Sequence, residues 1–234
     1  MPLLYEGKAK RVYSTDRQDE VRVEFTDAAT AFNGQKRAQI QNKGVVNAAV
    51  SARLFQWLKD HGVETHFVEQ LDDRNLLVER LNMIALEVVV RNWVAGSLNQ
   101  RTGIPEGTPM DDPVLELYYK NDALGDPLLN EDHIRLLGLA SSDLVARLRQ
   151  EALRVNQVLK PFFLQRDLVL VDFKLEFGWN DAGLLKLGDE ISPDTCRIWD
   201  QTSGERLDKD RFRRDLGRVE DAYQEILRRV MENA

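Results

Sequence analysis

The spacing of apolar residues changes several times along the chain. Residues 20–25, "EVRVEF", alternate with the two-residue repeat of a half-buried strand. The stretch before them, "LLYEGKAKRVYS", reads as one further strand ending at Ser14, with the polar "TDRQD" as the turn between the two. From Lys43 to Asp60 the period lengthens. Val46, Val50, Leu54, Trp57 and Leu58 keep helical spacing, and Gly62 is the predicted stop. "ETHFVEQ" and "NLLVERL" predict a hairpin about "LDDR", and "MIALEVVVRNW" is a strongly β-prone run. Gly103, Pro105, Gly107, Pro109 and Pro113 crowd a stretch that reads as loop. "SSDLVARLRQEALRVNQVLKPFFLQ" predicts an amphipathic helix starting near Ser142 or Asp143, and a charged helix is predicted from about Asp208 to Glu232. No internal repeat or low-complexity segment interrupts this order. It predicts an α+β fold, with a small sheet-rich lobe over residues 1–80 and a larger α+β lobe over 81–234 that ends in the C-terminal helix.

One strand departs from the ordinary. In "LVDFKLEFG" the pattern puts Val171, Phe173, Leu175 and Phe177 on one face and Asp172, Lys174 and Glu176 on the other. A solvated outer face is one reading, and the lining of an active-site cleft is the other. "FGWNDAGLLKLGDE" continues as a hairpin. With its turn centred between Asn180 and Asp181, Asp189 joins the charged face, and three carboxylates with one lysine call for a neutralising group. Mg²⁺ with nucleotide phosphates would serve, since that ion takes carboxylate and phosphate oxygens.

Two further stretches carry candidate anion binders. In "EGKAKRVY", Lys8 and Lys10 are placed on one side of a strand, as a solvated pair or as a phosphate clamp. Neither the Walker A pattern nor the dinucleotide glycine pattern is present. In "VVVRNWVAGS", Arg91 sits within an apolar run, where a bare charge is expensive. Ser97 opens a short helical segment, and Arg197 lies in "SPDTCRIWD". Together they would suit a phosphomonoester.

Composition narrows the function classes. The 234 residues are 43% hydrophobic and 30% charged, as in globular domains, and the formal charge of −7 argues against general nucleic-acid binding. No window supplies the roughly 18 apolar residues of a membrane helix, and "MPLLYEGKAKRVYS" lacks a secretory core, so a cytoplasmic setting is expected. The lone cysteine, Cys196, excludes an internal disulfide and reads as structural. His61, His66 and His133 lack metal-ligand spacing and read as structural or surface residues.

"YEGKAKRVY", "VVVRNWVAGS", "KND" with the following "DP", "LVDFKLEFG" and "LGDEISPDTCRIWD" resemble, in order, the successive motifs of the SAICAR synthetase family, from about residue 4 to the C-terminal helix. The resemblance implies a two-lobed, kinase-like and ATP-grasp-related fold with the nucleotide between the lobes. It implies ligation of L-aspartate to the carboxylate of the ribotide CAIR, using ATP and Mg²⁺, through an acyl phosphate. It places Lys8 and Lys10 on the nucleotide phosphates, and Val12, Arg80, Leu81 and Met83 about the adenine. Glu176 and Asp189 fall on the metal, and Asp172, Lys174 and Asp126 near the reacting carboxylate. Arg91, Ser97 and Arg197 fall on the ribotide phosphate. A homodimer is implied too. Asn33 replaces an acidic residue that many relatives carry, and Ala85 stands where proline is usual. A binding module without catalysis and a small-molecule kinase on the same fold are the alternatives. The first would release no ADP, and the second would release it without aspartate.

Overall fold

In a computed structural model, which describes residues 2–31 and 34–232, two antiparallel sheets and the helices packed on them give an α+β architecture. The first sheet begins with β1 (Leu3–Glu6), β2 (Lys10–Ser14) and β3 (Glu20–Phe25). The hairpin of β4 (Ala28–Ala31) and β5 (Lys36–Gln39) stands apart from it. After α1 (Lys43–Asp60), β6 (Phe67–Gln70) and β7 (Asn75–Glu79) complete the order β1-β2-β3-β7-β6. The second sheet opens with β8 (Asn82–Trp93). Beyond α2 (Ser97–Thr102) it gains β9 (Pro109–Tyr119) and β10 (Leu128–Leu129). Next come α3 (Glu131–Leu136) and α4 (Ser142–Leu164), then β11 (Leu168–Trp179), β12 (Leu185–Gly188) and β13 (Cys196–Asp200). Its order is β10-β9-β8-β11-β12, with β13 also paired to β11. Two helices, α5 (Asp210–Arg213) and α6 (Val219–Met231), close the described chain.

The α1 helix occupies the predicted span. Its apolar stripe of Val46, Val50, Leu54 and Leu58 is fully buried, and Gly62 ends it at φ 75°. It packs on β3, β6 and β7 and also on α4 and α6. Gly44 permits this approach, because a Cβ there would stand 2.5 Å from the Phe25 carbonyl oxygen. One apolar core consequently runs through both sheets, uniting Phe25 and Leu54 with Phe163, Phe173 and Ile226. Each such side chain contributes roughly 1.5–3 kcal/mol by leaving water. Ser141 caps α4 by accepting the Leu144 N–H at 3.2 Å.

Three expectations need correction. The first predicted strand is two, because Gly7 donates to the Lys10 carbonyl (2.8 Å) and turns the chain between β1 and β2. The proline-rich stretch becomes strand from Pro109 onward, where β9 pairs with β8. The C-terminal helix is interrupted. Asp215, Gly217 and Arg218 all adopt positive φ, which ends α5 and starts α6 afresh.

Candidate functional site

The β11 strand positions the site. Its outer edge is divided, since the first half pairs with β13 and the second half with β12, while its other edge runs along β8. Phe173, Leu175 and Phe177 enter the main core as the alternation predicts. Val171 does not. A bulge between Leu170 and Asp172 sends it to a small cluster with Ala95 and Trp199. The charged face is not solvated: Asp172 and Glu176 are buried, and Lys174 is half-buried. A cavity of about 810 Å³ opens over that face.

At the centre of the cavity Lys174 is held among carboxylates. Its Nζ lies 3.0 Å from Glu87, donates to Glu176, and stands 3.7 Å from Asp189. Burial opposes its charge, but Asp189, Glu176 and Glu87 together raise its pKa well above the ordinary lysine value. Glu87 and Glu176 face each other across β8 and β11. Burial pushes the Glu87 carboxyl up, against the pull of Lys174. Glu176 also accepts from Lys120. Lys10 donates to Asp189 and lies 2.9 Å from Glu190. Burial would raise the pKa of Asp189, yet Lys10, Lys174 and Lys120 hold it far below the usual carboxylate range.

The hairpin register differs from the expected one. Glu176 faces Gly188 and Trp179 faces Leu185, so residues of like parity pair. That register alone would turn Asp189 away from Glu176. Asp189 instead leaves β12 at φ 59° and still brings its carboxylate to Lys10 and Lys174. Lys8 lies in the turn before β2, not on a strand, and pairs with the exposed Asp122 at 2.8 Å. Asp126, at φ 50°, lines the cavity and accepts the Asn121 N–H at 2.8 Å.

One end of the cavity is apolar. Val12, Val21, Val23, Val78, Leu81 and Met83 line it, with Arg80 beside them. The segment at 81–83 lies over two glycines. A Cβ on Gly178 would come within 2.9 Å of the Leu81 Cβ and the Asn82 oxygen, and one on Gly188 within 3.1 Å of Leu81 Cδ1. His66 is buried in the same wall, edge-on to Phe55, and burial pushes it down to about 4, so it stays neutral. Burial raises the Cys196 thiol too, in keeping with a structural role.

The other end is built from guanidinium groups. Arg91 is buried and donates to Asp172 (2.7 Å), Glu116 (2.8 Å) and Ser97 Oγ (3.0 Å). Arg197 donates to Asp172 and Asp210, both at 2.8 Å. It lies against Gly96, where a Cβ would stand 2.5 Å from Nη2. The arginines predicted to meet a phosphate are thus already paired with carboxylates, which accounts for charge inside an apolar run. Every predicted site residue except Asp172 lines the one cavity, and Asp172 lies behind it, joining Arg91 to Arg197. Asn33 lies outside the described residues.

Sequence reasoning missed Glu87, Lys120 and Glu190, which surround Lys174 and Lys10, and the acids Glu116 and Asp210 that hold the arginines. A signal existed for some of them. Glu87 interrupts "MIALEVVV" much as Arg91 does, and Glu116 and Tyr118 alternate along β9 with Lys120 two residues on, just past its end.

An apolar slot, a lysine–carboxylate centre and an arginine-lined end, set in antiparallel α+β sheets, define a nucleotide-dependent enzyme. The chain belongs to the SAICAR synthetase family, whose profile matches residues 3–230. It is 55% identical over 230 residues to the phosphoribosylaminoimidazole-succinocarboxamide synthase of Caldanaerobacter subterraneus subsp. tengcongensis, covering 98% of this chain and 97% of that protein. Its fold is similar to the crystal structure of the synthase of that name from Ehrlichia chaffeensis, with TM-score 0.95, 41% identity, and 99% and 100% of the two chains covered. It is similar again to a SAICAR synthetase solved in complex with ADP, with TM-score 0.95, 47% identity, and 100% and 99% covered. Among the described residues no helix is long and apolar enough to cross a membrane.

Proposed function

We propose that this chain is the ATP-dependent ligase that joins L-aspartate to the carboxylate of CAIR, giving SAICAR, ADP and phosphate in purine biosynthesis. The observation that carries the reading is Lys174, caged by Glu87, Glu176 and Asp189 on the floor of a cavity with an apolar slot at one end and arginines at the other. The likeness to the ADP-bound synthetase supports nucleotide use. In this reading the adenine takes the slot of Val12, Leu81 and Met83 beside Arg80, within a nucleotide lobe over residues 1–80. Lys8 and Lys10 meet the phosphates. The ribotide phosphate meets Arg91, Ser97 and Arg197 in a second lobe over 81–234. Cytoplasmic location and a homodimer are part of the proposal, on the family resemblance.

Glu176 and Asp189 fit Mg²⁺ as hard oxygen donors on a buried floor. Among the described residues no group of three or more acidic, histidine or cysteine side chains could hold a metal, so phosphates would complete the shell. Bound there, the ion would neutralise phosphate charge. Lys174 supplies positive charge where the CAIR carboxylate oxygen bonds the γ-phosphorus and ADP departs with the electron pair of the broken P–O bond. The aspartate nitrogen then bonds the acyl carbon, the amine loses a proton, and phosphate leaves with the former carboxylate oxygen. Asp126 borders this region, and Asp172 fixes the two arginines.

Oxygen-18 tests the order of steps. Label in the CAIR carboxylate should appear in the released phosphate, and sustained ADP release over many turnovers should require CAIR and aspartate together. Label retained wholly in the amide would exclude the acyl phosphate. ADP release over many turnovers without aspartate would instead identify a kinase.

A further inference from the structure

The Asp189 carboxylate reaches Lys10 and Lys174 from a backbone at φ 59°. That left-handed conformation is unfavourable for a residue with a Cβ, so something must hold it. The β12 ladder stops one residue earlier, where Gly188 faces Glu176. Beyond it, no backbone–backbone hydrogen bond holds Asp189 itself among the described residues. Its lysine partners do not fix the turn either. Their long, flexible stems follow a carboxylate as readily as they direct it.

The neighbour that remains is His66. The segment 64–66 runs beside β12 in parallel. The Leu187 N–H donates to the Glu64 carbonyl and the His66 N–H to the Leu187 carbonyl, both at 2.9 Å. The His66 carbonyl accepts the Glu79 N–H at 2.7 Å, one residue before Arg80 at the apolar end of the cavity. The side chain extends this path. It is buried and lines the cavity, and its Nδ1 would stand 3.5 Å from a Cβ on Gly188. The ring also hydrogen-bonds the Asp189 backbone in a sense that favours the protonated imidazole, which makes the acceptor a carbonyl.

The protons agree with this arrangement. Burial keeps the imidazole neutral, with one N–H and one lone pair. Nε2 is buried and has no hydrogen-bond partner. An unpaired N–H is the costlier orphan, so the proton belongs on Nδ1, beside the Gly188–Asp189 backbone. Phe55 packs edge-on at 5.1 Å between ring centroids and steadies the ring.

We propose that His66 is a positioning residue for the reaction, its Nδ1–H holding the Asp189 backbone in the turn that aims the carboxylate at Lys10, Lys174 and the nucleotide's metal. The assignment rests on the ligase reading above, in which Asp189 is a metal ligand. A group behind a metal ligand sets the direction of that ligand. Through its main chain the same residue ties Asp189 to the wall at Glu79 and Arg80, so the two parts of the nucleotide site share one support.

The test is the calorimetric Kd for ADP, in Mg²⁺ and in EDTA, on the wild type and three variants whose melting curves are recorded. His66→Phe keeps the ring volume and removes both nitrogens. It should fold, bind ADP in EDTA within about twofold of the wild type, and lose about fivefold or more of the tightening that Mg²⁺ gives, as for one lost hydrogen bond behind a ligand. The Mg²⁺ concentration for half-maximal turnover should rise in step, with the KM for CAIR little changed. His66→Asn returns an amide N–H near the Nδ1 position and should recover most of the Mg²⁺ response, although it fills the wall less well and melts lower. His66→Gln places its amide near the Nε2 position and should not recover it. A residue that only fills the wall gives the reverse order, with phenylalanine nearest the wild type. A full Mg²⁺ response in His66→Phe, or a weaker one in folded His66→Asn than in His66→Phe, overturns the proposal and leaves the ligase reading standing. Should His66→Asn fail to fold, the response of His66→Phe decides. A wild type whose ADP affinity ignores Mg²⁺ overturns the metal reading of Asp189 and the proposal with it.

Discussion

Replacing Lys174 by methionine removes the cation from the middle of the carboxylate cage while keeping most of its volume. The three acids do not suffer equally. Glu176 retains Lys120 and Asp189 retains Lys10. Glu87 has Lys174 as its cation among the described residues, and burial already pushes its carboxyl up. Losing Lys174 raises it further, and Glu87 takes a proton instead of carrying an unpaired charge. That limits the cost to the fold. Breaking a fully buried pair costs about 3–5 kcal/mol. With protonation available and Lys174 27% exposed, about 1–2 kcal/mol is expected, a fall in Tm of about 5 °C. A carboxyl whose folded pKa is raised favours folding at low pH and stops doing so as the pH rises through that value. The Tm deficit of the variant should therefore narrow as the pH is lowered.

Turnover should suffer more than folding. A charge aimed at the transition state is worth on the order of 3 kcal/mol, roughly a hundredfold in kcat. The measurements are kcat for SAICAR formation and the calorimetric Kd for ADP, on a variant whose fold is verified by its melting curve. An unchanged kcat with a much weaker nucleotide complex would refute the catalytic assignment and leave Lys174 as a neutraliser of acids.

Arg91→Ala takes one of two cations from each of the buried acids Asp172 and Glu116, which keep Arg197 and Arg101, so it should cost about 2–3 kcal/mol and lower Tm by about 7 °C, besides raising the KM for CAIR. An unchanged Tm in thermal melts would mean the buried network is not formed in solution. Gly178→Ala introduces a methyl group 2.9 Å from the Leu81 Cβ and the Asn82 oxygen, displacing the segment at 81–83. ADP should bind several-fold more weakly by calorimetry, and unaltered affinity would remove that segment from the adenine site.

Elements with an uninterrupted period were legible. The α1 span follows from five apolar residues at helical spacing and the glycine after it, and the charged face of β11 follows from simple alternation. Errors arose where single backbone residues redirect the chain. The bulge at Val171, the positive φ of Asp189, and the left-handed run of Asp215, Gly217 and Arg218 leave no mark in the hydrophobic pattern. The paired acids escaped notice for another reason. Glu116 sits on β9, which its prolines disguise as loop, Lys120 follows its last residue, and their partners are distant in sequence. The family motifs supplied the remaining roles, which local spacing does not encode.

Between Asp172 and Glu176 the β11 strand pairs with β8 without interruption, from Arg91 to Glu87. Four residues of strand span about 13 Å. The gap between the guanidinium end and the lysine–carboxylate centre is therefore set by peptide geometry, as on a ruler whose marks are residues. Side-chain exchange can alter what is gripped at either mark, but not the length between them. Inserting one residue would also turn the far mark to the opposite face of the sheet. Under the proposed function, substrates of a different span would be excluded by the backbone itself, and widening the enzyme's scope would require rebuilding this strand.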